Sequence, residues 1–487
     1  MKNMTKKIKF SLPIRVIDSN KDLSDFAPLF MEQDDQIALN ESNIVRFNKG
    51  DYFILDFGEE KCGGIRLLTA VQDHAHPTMK IHVRFGESVS ETCSTLGEKG
   101  ACNDHSTRDF YADIPSWSDQ MLGDTGFRFV RIDILEDNEV VHPFKSIYSW
   151  EYDHGYKAIK HYQSDDEELN QIFKTCKHTL ELCMQNRIWD GIKRDRLVWI
   201  GDMEPEIHAA LHLYGNIDVI KNTIQTAVIA NPMPCWINNI PSYSAWFLLI
   251  MYDIYKLSGD VEFVKQYQSY MDKIIYLFDK SVGKDLDYDR AELNYGMKYF
   301  IDWPSYKDNN EEERIDANIL LLQYVLPKVS EMYQDLKLYN TTLPELTARV
   351  LNLEVKVPET KVFAAFYQLL HHDEESYQVL VKDNSKGMST FMSYYVLKAV
   401  AQKDKGQAIL MLEEYYGGML KLGATSFFED FDISWLEESY RIDEVNKGEK
   451  KDLHRDHGAH CYVGFRHSLC HGWSVGPISF LIEENIK

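Results

Sequence analysis

The sequence predicts a mainly helical protein of several domains, with an N-terminal antiparallel β-sandwich followed by a closed (α/α)6 barrel of helical hairpins. Three observations predict this fold class. Apolar residues alternate along the first third of the chain, they change to helical spacing near residue 164, and about twelve helical segments follow. A chain of 487 residues also exceeds the usual size of one core. We place the domains at residues 1–155 and 156–487.

The strand pattern runs from about Ile44 to Glu151. Apolar side chains occur at every second position, for example at Ile81, Val83 and Phe85, between glycine-containing polar turns. Several short strands without helices between them predict an antiparallel sandwich.

The helical pattern begins at Ser164. Ser164–Glu167 has the form of a capping box, and apolar residues then follow at helical spacing from Leu169 to Cys183. Later helices are predicted near residues 203–214, 242–258, 313–337, 388–402 and 471–485. Such helices could form a solenoid, separate bundles or six hairpins in a barrel. Since no fixed repeat is visible, we favour the barrel.

Composition and charge exclude several classes of function. The formal net charge of −23 argues against nucleic acid as a partner, because nucleic-acid binders concentrate lysine and arginine on one face. The most apolar run, Trp246–Tyr252, is too short to span a membrane. Met1–Leu12 lacks the features of a secretory signal, and the eight cysteines include no CxxC pair. We therefore expect a cytoplasmic protein with reduced cysteines and no membrane partner.

The segment Asp190–Asp202, DGIKRDRLVWIGD, is the most unusual part of the sequence. It combines three carboxylates with three basic residues and a tryptophan between two predicted helices. Asp202 is well placed as the N-cap of the second helix. On spacing alone, the segment is either a solvated connection with paired charges or a loop that presents carboxylates to a sugar. Sugar hydrolysis needs at least two carboxyl groups in different environments.

A second acidic candidate, Glu429, follows two phenylalanines in Gly423–Asp432 and could lie at low dielectric. Two further clusters, Phe300–Pro304 with Asp302 and Trp303 and Ser468–Pro477 with His471 and Trp473, combine a polar group with a tryptophan and a helix-breaking residue. Such loops suit sugar recognition, although each could equally be a plain connection between helices. The run His454–Cys461 contains imidazole and thiol groups, but its spacing fits no established zinc pattern, so we expect no metal. No phosphate-binding glycine loop or GxSxG elbow occurs, and no cofactor is expected.

Taken together, these motifs resemble the α-L-rhamnosidases of glycoside hydrolase family 78. Asp190–Asp202 looks like the family's acid-bearing motif, and Gly423–Glu429 looks like its Gly-Ala-Thr-Thr-x-Trp-Glu segment. Tyr52–Gly58 and Thr125–Ile132 look like strands of the sandwich that precedes the family's six-hairpin glycosidase barrel.

The resemblance implies a role for each matching residue. Asp195 would be the general acid and Glu429 the general base of an inverting hydrolase. The residues implied to hold the sugar or to position the carboxylates are Asp190, Arg194, Trp199, Asp202, Asp302, Trp303 and His471.

Three features depart from the family pattern. Asp195 is shorter than the glutamate often found at the acid position, Phe428 replaces a tryptophan, and the chain ends without the C-terminal β-domain of many members. The short form suggests a small rhamnoside or oligosaccharide as the substrate. The rival interpretations are a hydrolase or lyase for another sugar on the same barrel and a carbohydrate-binding protein that has lost hydrolysis. A protein of this architecture often forms a homodimer, although no exposed stripe indicates a particular dimer face.

Overall fold

A computed structural model describes residues 7–33, 43–70, 78–135, 142–459 and 463–486. The described part of the first third of the chain forms eight strands, one short α-helix and two 3-10 helices, Leu23–Phe30 and Glu98–Gly100. Their bounds are β1 Lys7–Ser11, β2 Arg15–Ser19, β3 Val45–Phe47, β4 Tyr52–Thr69, β5 Thr78–Gly86, α1 Val89–Cys93, β6 Asp109–Pro115, β7 Asp119–Ile134 and β8 His142–Asp153.

The strands form one continuous antiparallel sheet around a hydrophobic core. Its main path is β1-β8-β4-β7-β5-β6, while β2 pairs with β4 and β3 with β8. The pairing of β4 with β7 shifts register between Asp56 and Lys61, so each of these long strands contributes to two halves of the sheet. Phe53 and Leu67, from opposite ends of β4, are buried in the same core. The predicted antiparallel β-domain is confirmed, and its two layers are joined through β4 and β7.

The rest of the chain is helical. The helices are α2 Glu167–Cys183, α3 Met203–Tyr214, α4 Asp218–Ala230, α5 Pro241–Asp253, α6 Val261–Gln266, α7 Gln268–Ser281, α8 Trp303–Asp308, α9 Glu311–Asp335, α10 Thr342–Leu351, α11 Lys361–His371, α12 Glu374–Val381, α13 Ser393–Ala401, α14 Lys405–Lys421, α15 Trp435–Glu438, α16 Leu453–Asp456 and α17 Gly476–Glu483. Two short strands, β9 Ser439–Tyr440 and β10 Lys451–Asp452, pair in parallel. Among the described residues, no helix has both the length and the apolar character needed to cross a membrane.

Six of these helices form the inner ring of the barrel. Neighbours pack in the order α3, α5, α9, α11, α13 and α17, and α17 packs against α3 to close the ring. Every residue of α3 is buried, as expected for a helix enclosed on all sides. Outer helices pack against this ring, for example α14 on α13, α12 on α11 and α10 on α9. The predicted six-hairpin barrel is confirmed.

The N-terminus of α2 corrects one detail of the sequence analysis. Asp166, and not Ser164, caps the helix: its carboxylate accepts hydrogen bonds from the backbone of Glu168 and Leu169. The Ser164 hydroxyl accepts from the Asp166 amide at 3.1 Å and shapes the preceding turn. The helix then buries the predicted apolar stripe. The predicted domain division at residues 155 and 156 lies between β8 and this helix.

Candidate active site

The loop of residues 190–202 connects α2 to α3, as predicted, and closes on itself. The Leu197 amide donates to a carboxylate oxygen of Asp190 at 2.8 Å, and the Arg196 Nε donates to the Ile192 carbonyl at 2.8 Å. Asp195 and Arg196 have φ angles of 58° and 52°. Non-glycine residues rarely adopt this left-handed conformation, and such strain is concentrated at functional sites. The loop therefore holds Asp195 in a backbone conformation that its own residue type does not favour.

Arg194 joins the two predicted catalytic carboxylates. Its Nη1 donates to Asp195 Oδ2 at 3.0 Å, and its Nη2 pairs closely with Glu429 Oε2. The Nε of the same guanidinium donates to the Arg466 carbonyl at 2.5 Å. One buried, planar side chain thus fixes the acid-bearing loop relative to the base-bearing segment. Asp195 and Glu429, which are 234 positions apart in the sequence, lie on either side of it.

Glu429 is buried and held through both its backbone and its side chain. Its amide donates to the Ser468 carbonyl at 2.9 Å, and the Ser468 amide returns a bond to Glu429 Oε2 at 3.0 Å. The Thr390 hydroxyl and the Trp473 indole donate to the Glu429 carbonyl at 2.6 and 2.8 Å. His471 Nε2 lies 3.7 Å from Glu429 Oε1. The predicted base is therefore fixed by two loops that precede α13 and α17.

Asp190 and Asp202 lie at the two ends of the acid-bearing loop and are both buried. Burial, reinforced by the charges of Asp195 and Asp202, raises the pKa of Asp190 well above its ordinary value. Burial raises the pKa of Asp202 to about 7, although the Tyr243 hydroxyl donates to its carboxylate at 2.5 Å. Asp202 occupies the N-cap position of α3, but its side chain makes no capping bond, so the predicted capping role is wrong. Its carboxyl group instead points to Tyr243 on α5.

The remaining predicted residues occupy different parts of the site. Asp302 is buried, accepts from the Ser389 hydroxyl at 2.7 Å, and lines a small cavity together with Trp303 and Glu429. Burial lowers the pKa of His471 well below its ordinary value, so this ring is neutral. Trp199 is half-buried before α3 and packs against the barrel core.

A small cavity lies beside Glu429 and adjoins a larger one. The small one has a volume of about 10 Å³, the space of roughly one water molecule. The larger one measures about 610 Å³ and shares Pro304, Ser389, Asp430 and Ala459 with it. Phe431 and Trp435 add aromatic surface to the larger cavity. A cavity of this size lies in the range of small-molecule sites.

The His454–Cys461 run contributes one residue to a buried ionic cluster. Ligand atoms of Glu87, Glu91 and His454 lie within 4.8 Å of one another. The Lys193 ammonium group lies among them, 3.0 Å from Glu87 Oε2 and 3.1 Å from His454 Nε2, and supplies a cation to this cluster. His460 and Cys461 lie outside the described residues.

Several residues around the predicted pair were not anticipated. Ser468, Thr390 and Trp473 hold Glu429 through their own side chains or backbone. Glu87, from the turn after β5, accepts from the Leu469 amide at 2.6 Å. Nothing in the local sequence around Glu87 distinguishes it from an ordinary strand-end carboxylate. Ser468 and Trp473 belong to the predicted cluster Ser468–Pro477, but their contacts with Glu429 depend on the fold.

The chain is similar to known proteins in sequence and in fold. Residues 158–342 match the bacterial alpha-L-rhamnosidase 6 hairpin glycosidase domain. No curated protein sequence matches the chain. Among solved structures, a rhamnosidase from Klebsiella oxytoca with rhamnose bound has 18% sequence identity and a TM-score of 0.71, covering 99% of this chain and 96% of that one.

Two longer proteins are similar as well. The GH78 family rhamnosidase of Bacillus sp. GL1 has 16% identity and a TM-score of 0.69, and the match covers 95% of this chain and 48% of that one. The Streptomyces avermitilis α-L-rhamnosidase complexed with L-rhamnose has 12% identity and a TM-score of 0.64, with coverages of 98% and 44%. The chain spans about half the length of these two proteins. It therefore has the fold of the α-L-rhamnosidases along nearly all of its own length, and the resemblance carried by its motifs is confirmed.

Proposed function

We propose that this protein is an inverting glycoside hydrolase that releases terminal α-L-rhamnose from small glycosides or oligosaccharides. The observation that carries the proposal is the contact of one guanidinium, that of Arg194, with both Asp195 and Glu429 beside a cavity. The rhamnose bound to the Klebsiella oxytoca rhamnosidase, whose fold this chain shares, supports the choice of sugar.

In the proposed reaction, Asp195 donates a proton to the glycosidic oxygen while the bond from that oxygen to the anomeric carbon breaks. Glu429 removes a proton from a water molecule, whose oxygen attacks the same carbon from the opposite face. The leaving group departs as a neutral alcohol and the sugar is released with inverted configuration. Proton exchange with solvent then restores the acid and the base.

The geometry is compatible with this pair of roles. Because both carboxyl groups contact one guanidinium, their facing oxygens lie within about 8 Å of one another, and an inverting pair stands about 6.5–9.5 Å apart. Glu429 accepts from Arg194 and from the Ser468 amide, as expected of a group that receives a proton from water. Asp195 is the more exposed of the two, with 17% of its side chain accessible against 2% for Glu429, so a leaving group can reach it.

The larger cavity is the proposed site of the leaving group. It adjoins the small cavity, which Asp302 and Glu429 line, and its volume of about 610 Å³ is ample for a small aglycone or further sugar residues. The aromatic rings of Phe431 and Trp435 offer apolar surface on which a ring can pack.

We place the enzyme in the cytoplasm. The seven cysteines that the structure describes are all unpaired, as in a reducing compartment. The net charge of −23 supports a substrate other than nucleic acid. Size-exclusion chromatography would distinguish a monomer from the homodimer that this architecture often forms.

The proposal is tested with purified protein and a panel of para-nitrophenyl glycosides. We expect release of para-nitrophenol from the α-L-rhamnopyranoside. In Asp195→Asn and Glu429→Gln, kcat should fall by roughly 10²–10⁴-fold because each variant removes a proton-transfer group. Glu262→Gln, an exposed carboxylate on α6, is the control and should keep full activity. Hydrolysis of another glycoside but not the rhamnoside would refute the choice of sugar, and near-normal turnover in either site variant would refute its assigned role.

A further inference from the structure

We propose that the N-terminal β-domain is part of the catalytic machinery, with Glu87 as a positioning residue that holds the acid-bearing and base-bearing loops in register. The inference rests on the proposed function, because it concerns the placement of Asp195 and Glu429. Glu87 lies in the turn between β5 and α1 and is fully buried against the barrel.

One set of contacts connects Glu87 to the segment that carries the proposed acid. Glu87 Oε2 pairs with Lys193 Nζ at 3.0 Å, and Lys193 immediately precedes Arg194, which binds Asp195. The β-domain makes a second contact with the acid-bearing loop, because the Ser106 hydroxyl donates to the Lys193 carbonyl at 2.6 Å.

A third contact reaches the acid itself. His105 Nδ1 is hydrogen-bonded to the Asp195 carbonyl. The β-domain thus binds the backbone of Asp195 and the backbone of Lys193, the residue that precedes Arg194.

A second set of contacts connects Glu87 to the proposed base, Glu429. Glu87 Oε2 accepts from the Leu469 amide at 2.6 Å, and Glu87 Oε1 accepts from the Ser468 hydroxyl at 3.1 Å. Ser468 in turn donates its amide to Glu429 Oε2. One carboxylate of the β-domain is therefore connected to Glu429 through Ser468 and to Asp195 through Lys193 and Arg194.

Burial makes this junction rigid and specific. Lys193 has 2% of its side chain exposed and Glu87 has none. Loss of the Glu87 charge would leave Lys193 only the more distant carboxylate of Glu91, at 3.5 Å, which is unfavourable in a buried site unless the surrounding backbone moves. A displacement of about 1 Å at a catalytic group can cost roughly 10²-fold in rate. Loss of the Glu87 charge should therefore act on the loops that carry the reaction.

The decisive variant is Glu87→Gln, which keeps the size of the side chain but removes its charge. We expect kcat on para-nitrophenyl α-L-rhamnopyranoside to fall by roughly 10–100-fold, with KM changed by less than about 3-fold. The sugar contact implied for Asp302 lies on another loop, where Asp302 is held by Ser389, and is retained, which is why KM should change little.

Asp133→Asn is the matched control. Asp133 is another ion-paired carboxylate of the β-domain, partly buried, and its partners Arg84 and Arg131 belong to the same domain. The Asp133→Asn variant should have a lower thermal stability and an unchanged kcat. An equal fall of kcat in both variants would mean that Glu87 acts only through stability and would overturn the inference.

A milder pair of variants decides the matter if Glu87→Gln does not fold. Ser106→Ala removes one hydrogen bond to the Lys193 carbonyl and should lower kcat by roughly 3–10-fold, while Ser106→Thr keeps the hydroxyl and should restore it. Unchanged kcat in Ser106→Ala, or in a folded Glu87→Gln, would overturn the inference. A wild-type protein that hydrolyses no rhamnoside would instead refute the proposed function, so the two failures are distinguishable.

Discussion

Asp195 shows how a single residue can be placed against its own conformational preference. Its left-handed backbone costs on the order of 1–3 kcal/mol and persists only when the surroundings enforce it. Here the surroundings are the Arg194 guanidinium and His105 of the β-domain. The aspartate is shorter than the glutamate expected from the resemblance. The strained turn directs this shorter side chain to Arg194. The backbone conformation thus compensates for the shorter side chain of the acid.

Asp202 carries a prediction about pH and stability. Burial raises its pKa to about 7 in the folded protein, above the value of about 3.9 in an unfolded chain. Between about pH 4 and 7 the folded state therefore binds more protons than the unfolded state at this group, so its contribution lowers stability as pH rises and levels off above pH 7.

The variant Asp202→Asn removes this titration. Relative to the wild type, it should gain free energy of unfolding at pH 8, by roughly 4 kcal/mol at most, and little or none at pH 4.5. Urea denaturation of both proteins at the two pH values measures the effect. The same stability difference at both pH values would show that Asp202 does not titrate in this way.

At the residue scale, contiguous motifs were predictable and long-range partners were not. Asp195 and Arg194 stand in one segment, and Glu429 in another, so their residue types alone indicate chemistry. The capping role predicted for Asp202 was wrong because the Tyr243 hydroxyl, on another helix, competes for its carboxylate. Glu87 could not be anticipated, since its partners come from loops that only the fold brings to β5.

At the scale of single elements, the residue that caps the N-terminus of α2 can be tested directly. Asp166 accepts from the amides of Glu168 and Leu169, which have no partner within the helix. Replacing an N-cap aspartate by alanine costs about 0.5–2 kcal/mol.

We therefore expect Asp166→Ala to lower the free energy of unfolding by about 1 kcal/mol and to leave kcat unchanged, because α2 is an outer helix of the barrel. Chemical denaturation and the rhamnoside assay together check both parts. Ser164→Ala is a useful comparison. If Ser164 were the cap, as the sequence pattern predicts, this variant would lose more free energy of unfolding than Asp166→Ala.

The same scale shows what periodicity can and cannot predict. Alternation indicated the strands after Ile44, but β1 and β2 were missed because neither short strand has a fully buried residue and both carry charged residues. The helices near residues 203–214 and 313–337 were predicted within two residues of their bounds. The closed order of the inner ring depends on contacts between distant helices, such as α17 with α3, so periodicity left the barrel, solenoid and bundles open.

In the whole molecule, buried charges join the β-domain to the barrel at the end where the site lies. Arg128 pairs with Asp56 at 2.8 Å and also donates to the Gly423 carbonyl at 3.0 Å, at the start of the base-bearing segment. The Glu60 amide donates to the Thr425 hydroxyl at 2.9 Å. The β-domain therefore contacts both segments that carry the proposed acid and base.

The central claim is that Asp195 and Glu429 hydrolyse an α-L-rhamnoside with inversion, and its most direct test is the configuration of the first product. Proton NMR should follow the anomeric signals while the enzyme hydrolyses para-nitrophenyl α-L-rhamnopyranoside. Inversion predicts that β-L-rhamnose accumulates first and that the α-anomer appears later, by mutarotation. Initial release of α-L-rhamnose would contradict the account, because it would require a covalent intermediate and a carboxyl pair only about 5–5.5 Å apart.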